Sequence, residues 1–316
     1  MPDKPQATRI AAADPATIAE AAALLRGGGL VAVPTETVYG LAARADRAEA
    51  VAAIYRTKGR PDFNPLIVHV ASVAAARELA GFDGRAEKLA AAYWPGALTL
   101  VLPLRQDARI AQAVTAGLPT IALRCPAHAV MQALLAASGL PLAAPSANRS
   151  GGVSPTRAEH VAASLGGAVP LVLDGGPCSA GIESTIVALR EGGGWQLLRP
   201  GPITEARIAA ILGTPASKVK AGEIEAPGQL ASHYAPGKPI RLNAHEAALD
   251  EFLIGFGDLA GEFNLSPSAD LAQAAARLFE SLHRAAAAPQ PRIAIAHVPG
   301  EGIGAAINDR LHRAAA

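Results

Sequence analysis

The sequence predicts an α/β protein of two domains joined by a linker, on three observations. Short apolar runs alternate with helix-period segments across the first 213 residues. A stretch with four prolines and no apolar period interrupts them at 214–239, after which the alternation resumes to residue 316. At about 150 residues per domain, a chain of 316 residues holds two. The expected division is 1–213, a linker at 214–239, and a smaller domain at 240–316.

The elements follow in order. Asp14 and Pro15 suit the N-cap and first turn of a helix that presents Ile18, Leu24 and Leu25 and closes at Gly27 to Gly29. Leu30 to Val33 reads as a buried strand ending at Pro34, and Arg47 to Thr57 as a helix with Val51, Ile54 and Tyr55 inward. Leu66 to Val70 has the short apolar run of a strand covered on both faces. Further strands are expected at Leu98–Leu102, Thr120–Leu123, Leu142–Ala144, Leu171–Leu173, Ser184–Leu189 and Gln196–Leu198. Helices are expected near Arg85–Tyr93, Ala127–Ser138, Thr156–Leu165 and Glu205–Leu212, with Thr156 and Glu159 at capping-box spacing. Beyond the linker, strands at Ile240–Leu242, Phe252–Phe256 and Arg292–Ala296 accompany helices near Ala269–Ala285 and Ile303–Ala315.

Composition narrows the function. Half the residues are apolar and 17% are charged, which supports a sizeable core and argues against disorder. Lys plus Arg number 28 against 27 Asp plus Glu, so RNA binding would have to rest on a local patch. Two cysteines, Cys125 and Cys178, supply neither a disulfide framework nor a four-cysteine zinc site, and read as small buried residues. No apolar run reaches the length of about 18 residues that a membrane span needs, and Met1 to Ile10 lacks the apolar core of a signal peptide. A cytosolic protein without membrane contact is expected.

Three segments concentrate groups able to do chemistry. Pro34-Thr35-Glu36-Thr37-Val38-Tyr39-Gly40-Leu41 follows a strand, where open α/β sheets bind ligands, or it is a polar turn bent at Gly40. Lys58-Gly59-Arg60-Pro61 and Asn64-Pro65 precede the strand that carries His69. Cations at a helix C-terminus complement its dipole, but a Lys-x-Arg pair on a Gly-Pro frame also suits a triphosphate. His69 is either a satisfied strand histidine or a ligand contact. Ala144 to Thr156 runs from a strand end into a helix N-terminus at Ser154, gathering hydroxyls, an amide and backbone N–H groups into an anion cradle; Ser154 alternatively only caps its helix. Thr115, Thr120, Arg124, Gly181 to Thr185 and Arg199 to Pro202 add polar groups at other strand ends. A Walker-type phosphate loop, a G-x-G-x-x-G after the first strand, a G-x-S-x-G elbow and an H-E-x-x-H are absent, so ATP would bind by another scheme.

In order along the chain, PTETVYGL, KGRP with NPLIVHV, WPGALTLVL, TAGLPTIALR, APSANRSGGVSPT, DGG with GIESTIV, and LLRPGPIT resemble the YrdC-like threonylcarbamoyl-AMP synthases, in the long form with a C-terminal domain. APGQLASHYAPGKP and GIGAAINDRLHRAA extend the resemblance. It implies a twisted catalytic domain with a mixed sheet and a basic concave surface, a linker folded over the site, and a Rossmann-like tail domain. The implied reaction joins L-threonine, bicarbonate or CO2, and ATP, with Mg2+, into threonylcarbamoyl-AMP and pyrophosphate. A tRNA threonylcarbamoyl-transferase complex would take the product to an adenosine beside the anticodon, with weak tRNA contact by this chain conceivable.

Carried over by motif, the family's catalytic tetrad falls on Lys58, Arg60, Ser146 and Asn148. Thr35, His69, Arg124 and Ser184 match the threonine pocket, where an arginine fork suits a carboxylate. Asn64, Thr115, Ser154, Arg199 and Tyr234 match nucleotide contacts beside Lys58, Arg60 and Ser146, with Thr120 an alternative to Thr115. The linker departs from the family's S-P-G-M-K-Y-x-H-Y-A-P: from Ala226 to Pro236 it keeps His233-Tyr234-Ala235-Pro236 but lacks the basic and aromatic residues before them. Two other readings are a non-catalytic RNA-binding module and a hydrogenase-maturation carbamoyltransferase; two cysteines cannot supply the zinc fingers expected of the latter.

Overall fold

The computed structural model describes residues 7–218, 225–229 and 233–316. The amino-terminal stretch 1–6 and the linker positions 219–224 and 230–232, including the departure at Leu230 to Ser232, lie outside the described residues.

Ten strands form one mixed sheet: β1 (Arg9–Ala12), β2 (Val31–Val33), β3 (Gly40–Arg44), β4 (Ile67–His69), β5 (Leu98–Pro103), β6 (Thr120–Arg124), β7 (Leu142–Ala143), β8 (Leu171–Asp174), β9 (Thr185–Leu189) and β10 (Trp195–Arg199), in the order β1-β8-β2-β3-β7-β4-β6-β5-β9-β10. β4 pairs β6 in parallel and β7 antiparallel, so both connection types meet at the sheet's centre. The helices are α1 (Pro15–Arg26), α2 (Ala48–Lys58), α3 (Val73–Arg77), α4 (Gly84–Tyr93), α5 (Gln112–Thr115), α6 (Ala129–Ser138), α7 (Ala158–Leu165) and α8 (Glu205–Leu212). A second, all-parallel sheet holds β11 (Ile240–Ala244), β12 (Glu251–Gly255), β13 (Phe263–Asn264) and β14 (Arg292–Ala296) in the order β11-β14-β12-β13. It carries α9 (Leu271–Ala287) and α10 (Gly304–Ala314). The α/β expectation is borne out, mixed first sheet and smaller second sheet included.

The period of two along the central strands sorts side chains onto two faces. Val68, Leu100, Leu123 and Val187 join the main core with residues of α2, α4, α7 and α8. Their neighbours Ile67, Val101, Ala122 and Ile186 face the other way, into a small cluster completed by Ala226 of the linker. Elsewhere on that second face α1 and α6 pack over β2, β7 and β8. Among the described residues no helix covers the sheet's middle there, and the cleft forms in that gap. A third core belongs mainly to the second sheet but takes in Val38, Val153, Ile182 and Tyr234, so the two units share apolar packing.

The structure adds to these expectations and corrects some. Gly40–Arg44, which begins inside the segment read as a strand-end loop or turn, is a strand hairpinned antiparallel to β2, and Arg9–Ala12, unassigned from sequence, is an edge strand. Phe263–Asn264 is a further strand of the second sheet. The helix expected from Thr156 starts at Ala158 with Arg157 as N-cap, and no side chain caps it. The capping box does not form because the Thr156 N–H donates instead to His160 Nδ1 at 3.3 Å. Ser154 lies outside the helix and its hydroxyl donates to Glu183, so it is no cap. Cys125 and Cys178 are free and buried, as expected.

Candidate active site

The cleft is floored by the sheet itself. Small residues keep the floor low: Gly40 of β3 faces Ala144 after β7, and a Cβ on Gly40 would meet the Ala144 Cβ at 3.1 Å. Ile67 and His69 of β4 point into it, as the alternation requires. Register brings Arg124 beside His69, since the two are paired at the ends of β6 and β4. Thr35, Thr37, Ser146, Ser184, Glu183, Arg60 and Arg199 form the walls, and Pro227, Gly228, His233 and Tyr234 of the linker form a roof. The enclosed volume is about 50 Å³.

At one end Arg124 donates from Nη1 to the Thr37 hydroxyl at 2.8 Å and from Nε to the Gly96 carbonyl at 3.1 Å. Its Nη2 lies 2.7 Å from Glu36 Oε1, a close ion pair without hydrogen-bond alignment that leaves both Glu36 oxygens and Nη2 lacking a hydrogen-bond partner. Burial pushes the Glu36 carboxyl upward, but Arg124 outweighs it and holds the group below its usual range. Thr35 Oγ1 lies 2.8 Å from Thr37 Oγ1 and donates to the Val38 carbonyl. Burial, then Arg124, push His69 down to about 3, and its Nδ1 has no partner. His69 is therefore neutral at physiological pH.

At the other end the cations lie close together. Arg60 donates to the carbonyls of Asn64 and Pro65 at 3.2 and 3.0 Å. Arg199 donates to the Ser184 carbonyl and hydroxyl at 3.0 and 3.1 Å. Burial lowers each guanidinium to about 10. Lys58 is buried beneath the loop after β7, donating to the carbonyls of Ser146 and Asn148, and burial followed by Arg60 lowers it well below the ordinary lysine value. Among the described residues, none of these three cations forms an ion pair, whereas Arg124 and Arg310 do. Burying three such charges together is unfavourable unless an anion joins them.

Of the residues carried over from sequence, Thr35, Arg60, His69, Arg124, Ser146, Ser184, Arg199 and Tyr234 line one cleft. Lys58, Asn64, Asn148, Thr115 and Ser154 are buried behind its walls. Thr115 ends α5 and donates to the Gln112 carbonyl at 3.2 Å; neither it nor Thr120 reaches the cleft. Asn64 and Asn148 each keep a buried side-chain oxygen without a partner. Sequence reasoning gave Thr37, Glu36, Glu183, His233 and Arg310 no individual role. Glu36 and Glu183 sat inside quoted motifs, and carboxylates beside an expected anion site were the signal.

Two family models match the chain: Sua5_yciO_yrdC, described as telomere recombination, over residues 23–201, and the threonylcarbamoyl-AMP synthase C-terminal domain over residues 203–316. The chain belongs to the Sua5/YciO/YrdC family. Within it, the threonylcarbamoyl-AMP synthase of Bacillus subtilis is 48% identical over 230 residues, 71% of this chain and 66% of that protein. The Pyrococcus abyssi enzyme of the same name is 44% identical over 228 residues, 70% of this chain and 66% of that protein. The aligned region thus spans just under two thirds of these curated family members. Among solved structures, P. abyssi Sua5 complexed with L-threonine superposes with a TM-score of 0.87 at 34% identity, covering 98% of this chain and 96% of that one. A P. abyssi Sua5 variant with an adjacent His and Tyr both replaced by Ala superposes at 0.88, with the same identity and coverage.

Proposed function

We propose that this chain makes L-threonylcarbamoyl-AMP from L-threonine, bicarbonate or CO2, and ATP, releasing pyrophosphate. The observation that carries the reading is the cleft's division of charge. One end has Arg124 paired with Glu36; the other has three buried cations, none of them in an ion pair among the described residues, with the nearby Glu183 carboxylate taken up by Arg310. The names of the relatives and the threonine complex of P. abyssi Sua5 support it.

In this reading Arg124 takes the carboxylate of threonine, with Thr35, Ser184 and neutral His69 around the amino and hydroxyl groups. Arg60, Arg199 and Lys58 balance the triphosphate, with Asn64, Thr115, Ser154 and Tyr234 supporting that end of the site. The carbamate oxygen of N-carboxy-threonine attacks the α-phosphorus, one P–O bond forms, and the bond to pyrophosphate breaks. No side-chain nucleophile is needed, since positioning and screening two anions is the main task. Among the described residues no three acidic, His or Cys side chains cluster as a metal site. Magnesium travels with phosphates and needs few protein ligands, so the Ser146 hydroxyl and the unpartnered Asn148 Oδ1 would suit it. When bound, the ion neutralises phosphate charge.

A cleft of about 50 Å³ is far below the roughly 300 Å³ and upward of ligand sites, so the roof must swing outward for substrates to enter. With Pro227, Gly228, His233 and Tyr234 back over it, the cleft would shield the carbamate and the mixed anhydride from water. A cleft this small also disfavours the RNA-binding reading. We further assign the product to a downstream tRNA threonylcarbamoyl-transferase. The deciding assay is pyrophosphate release by the purified full chain: it should require ATP, L-threonine and bicarbonate together, and release independent of threonine would refute the reading.

A further inference from the structure

The carboxyl-terminal unit touches the wall of the cleft through Arg310. Arg310, on α10, is fully buried although it projects away from its own sheet. Its Nε donates to Glu183 Oε2 at 3.0 Å, and its Nη1 donates to the Pro200 carbonyl at 2.7 Å and to Asp309 at 3.1 Å. Its guanidinium carbon sits 5.8 Å from the ring centroid of Tyr234 in the roof. Glu183 lines the cleft, and its other oxygen, Oε1, accepts from the Ser154 hydroxyl at 2.6 Å.

Glu183 is an oddity in a site built for phosphates. A carboxylate beside Arg199, in the same cleft as Arg60, should repel the ligand that those cations await. Burial pushes its carboxyl upward, but Arg310 and then Arg199 overcome this and keep it ionised. Without Arg310, Arg199 would have to answer Glu183 and would no longer be available to an incoming anion.

We propose that Arg310 is a positioning residue for the nucleotide end of the cleft: by neutralising Glu183 across the interface between the two units, it frees Arg199 for phosphate and fixes the Ser154 hydroxyl. The inference rests on the reading above, and it gives the carboxyl-terminal unit a part in binding. The same unit holds the roof, because the His233 N–H donates to the Arg313 carbonyl at 3.1 Å and Tyr234 stacks near Phe279 at 5.3 Å.

The test compares Arg310→Met, Glu183→Gln, the double variant and Arg310→Lys in the full chain. Readouts are KM for ATP and for threonine, the Kd of a non-hydrolysable ATP analogue, and the melting temperature. Arg310→Met should weaken the analogue and raise the ATP KM by about tenfold or more, leaving the threonine KM within about twofold. In the Glu183→Gln background the same substitution should change ATP binding by less than about twofold, because the charge it exposes is gone. Arg310→Lys should recover most of the ATP affinity. An equal loss in both backgrounds, or equal losses for ATP and threonine, would make Arg310 merely structural and overturn the proposal. If Arg310→Met does not fold, Arg310→Gln with and without Glu183→Gln gives the same comparison, since glutamine can still donate to the Pro200 carbonyl but carries no charge. If wild type releases no pyrophosphate, the reaction assignment falls, and the analogue's Kd across the four variants still decides this inference.

Discussion

The Nζ of Lys58 lies 2.5 Å from the carbonyl oxygen of Ser146 and 2.6 Å from that of Asn148. The last residue of α2 thereby shapes the loop after β7 from below. Gly59 follows in the left-handed region, at φ 59°, and turns the chain so that Arg60 faces the cleft while Lys58 does not. The two cations have different tasks, and their variants should differ. Arg60→Ala should cut pyrophosphate formation by about 100-fold or more with a small loss of stability. Lys58→Ala should lose turnover as severely and also lower stability by about 2 kcal/mol, because it strands buried carbonyls. Steady-state kinetics with thermal melts checks both, and near-normal turnover in both would remove this loop from the mechanism.

Lys58 also predicts a proton signature. In the free protein burial and Arg60 hold its pKa well below the ordinary value, and nearby phosphates would favour the charged form and raise it. ATP binding should therefore take up a proton at pH values between the lowered pKa of the free protein and the raised one of the complex, and affinity should fall as pH rises through that window. Calorimetry in two buffers of different ionisation enthalpy reads this directly. A buffer-independent heat at every pH would contradict it.

Three histidines should make the fold acid-sensitive. Burial is the largest cause in each case: His69 and His160 are lowered to about 3 and His233 to about 4. An unfolded histidine protonates from about pH 6.5 downward, while these native ones stay neutral over most of that window. Stability is then fully present above about pH 6.5 and declines below it, by up to about 1.4 kcal/mol per pH unit for each histidine. His160 stacks on His283 across the two units, with centroids 3.8 Å apart, among Arg157, Glu280 and Arg284. His160→Asn should flatten the pH dependence of the chemical-denaturation midpoint; an unchanged slope would show that this pair does not contribute.

Gly181 marks a close approach between the two units. Its φ is +68°, and a Cβ there would come within 2.4 Å of the Ala276 backbone in α9. Gly181→Ala should cost about 3 kcal/mol, combining backbone strain with overpacking, and should weaken the seating of α9. Denaturant titration tests the magnitude, and hydrogen exchange along α9 tests the location.

How far the sequence could be read follows from the same details. Helices with strong caps were legible, as at Asp14, whose side chain accepts from the Thr17 N–H. The Gly40–Arg44 strand was not, because Gly-Leu-Ala-Ala-Arg has weak strand propensity and is held by pairing on both sides. Residues named from the polar motifs line one cleft, which lies elsewhere than the strand ends. Strand-end reasoning put the cleft at the sheet's edge, whereas Gly40, Ala144, Ile67 and His69 set it on a face. The clue was the alternation of Val68 with His69. Arg310 and Glu183 are 127 positions apart, and nothing local in either neighbourhood announces the pairing.

Both tryptophans, Trp94 and Trp195, are buried in the larger unit, and Trp195 donates from its indole to the Thr214 carbonyl at 2.9 Å. From Ile240 onward the only aromatic rings besides histidine are phenylalanines. Indole emission is therefore blind to the tail. A heating curve followed by fluorescence will track one half of the molecule, while circular dichroism tracks both, and any gap between the two curves measures how independently the halves come apart.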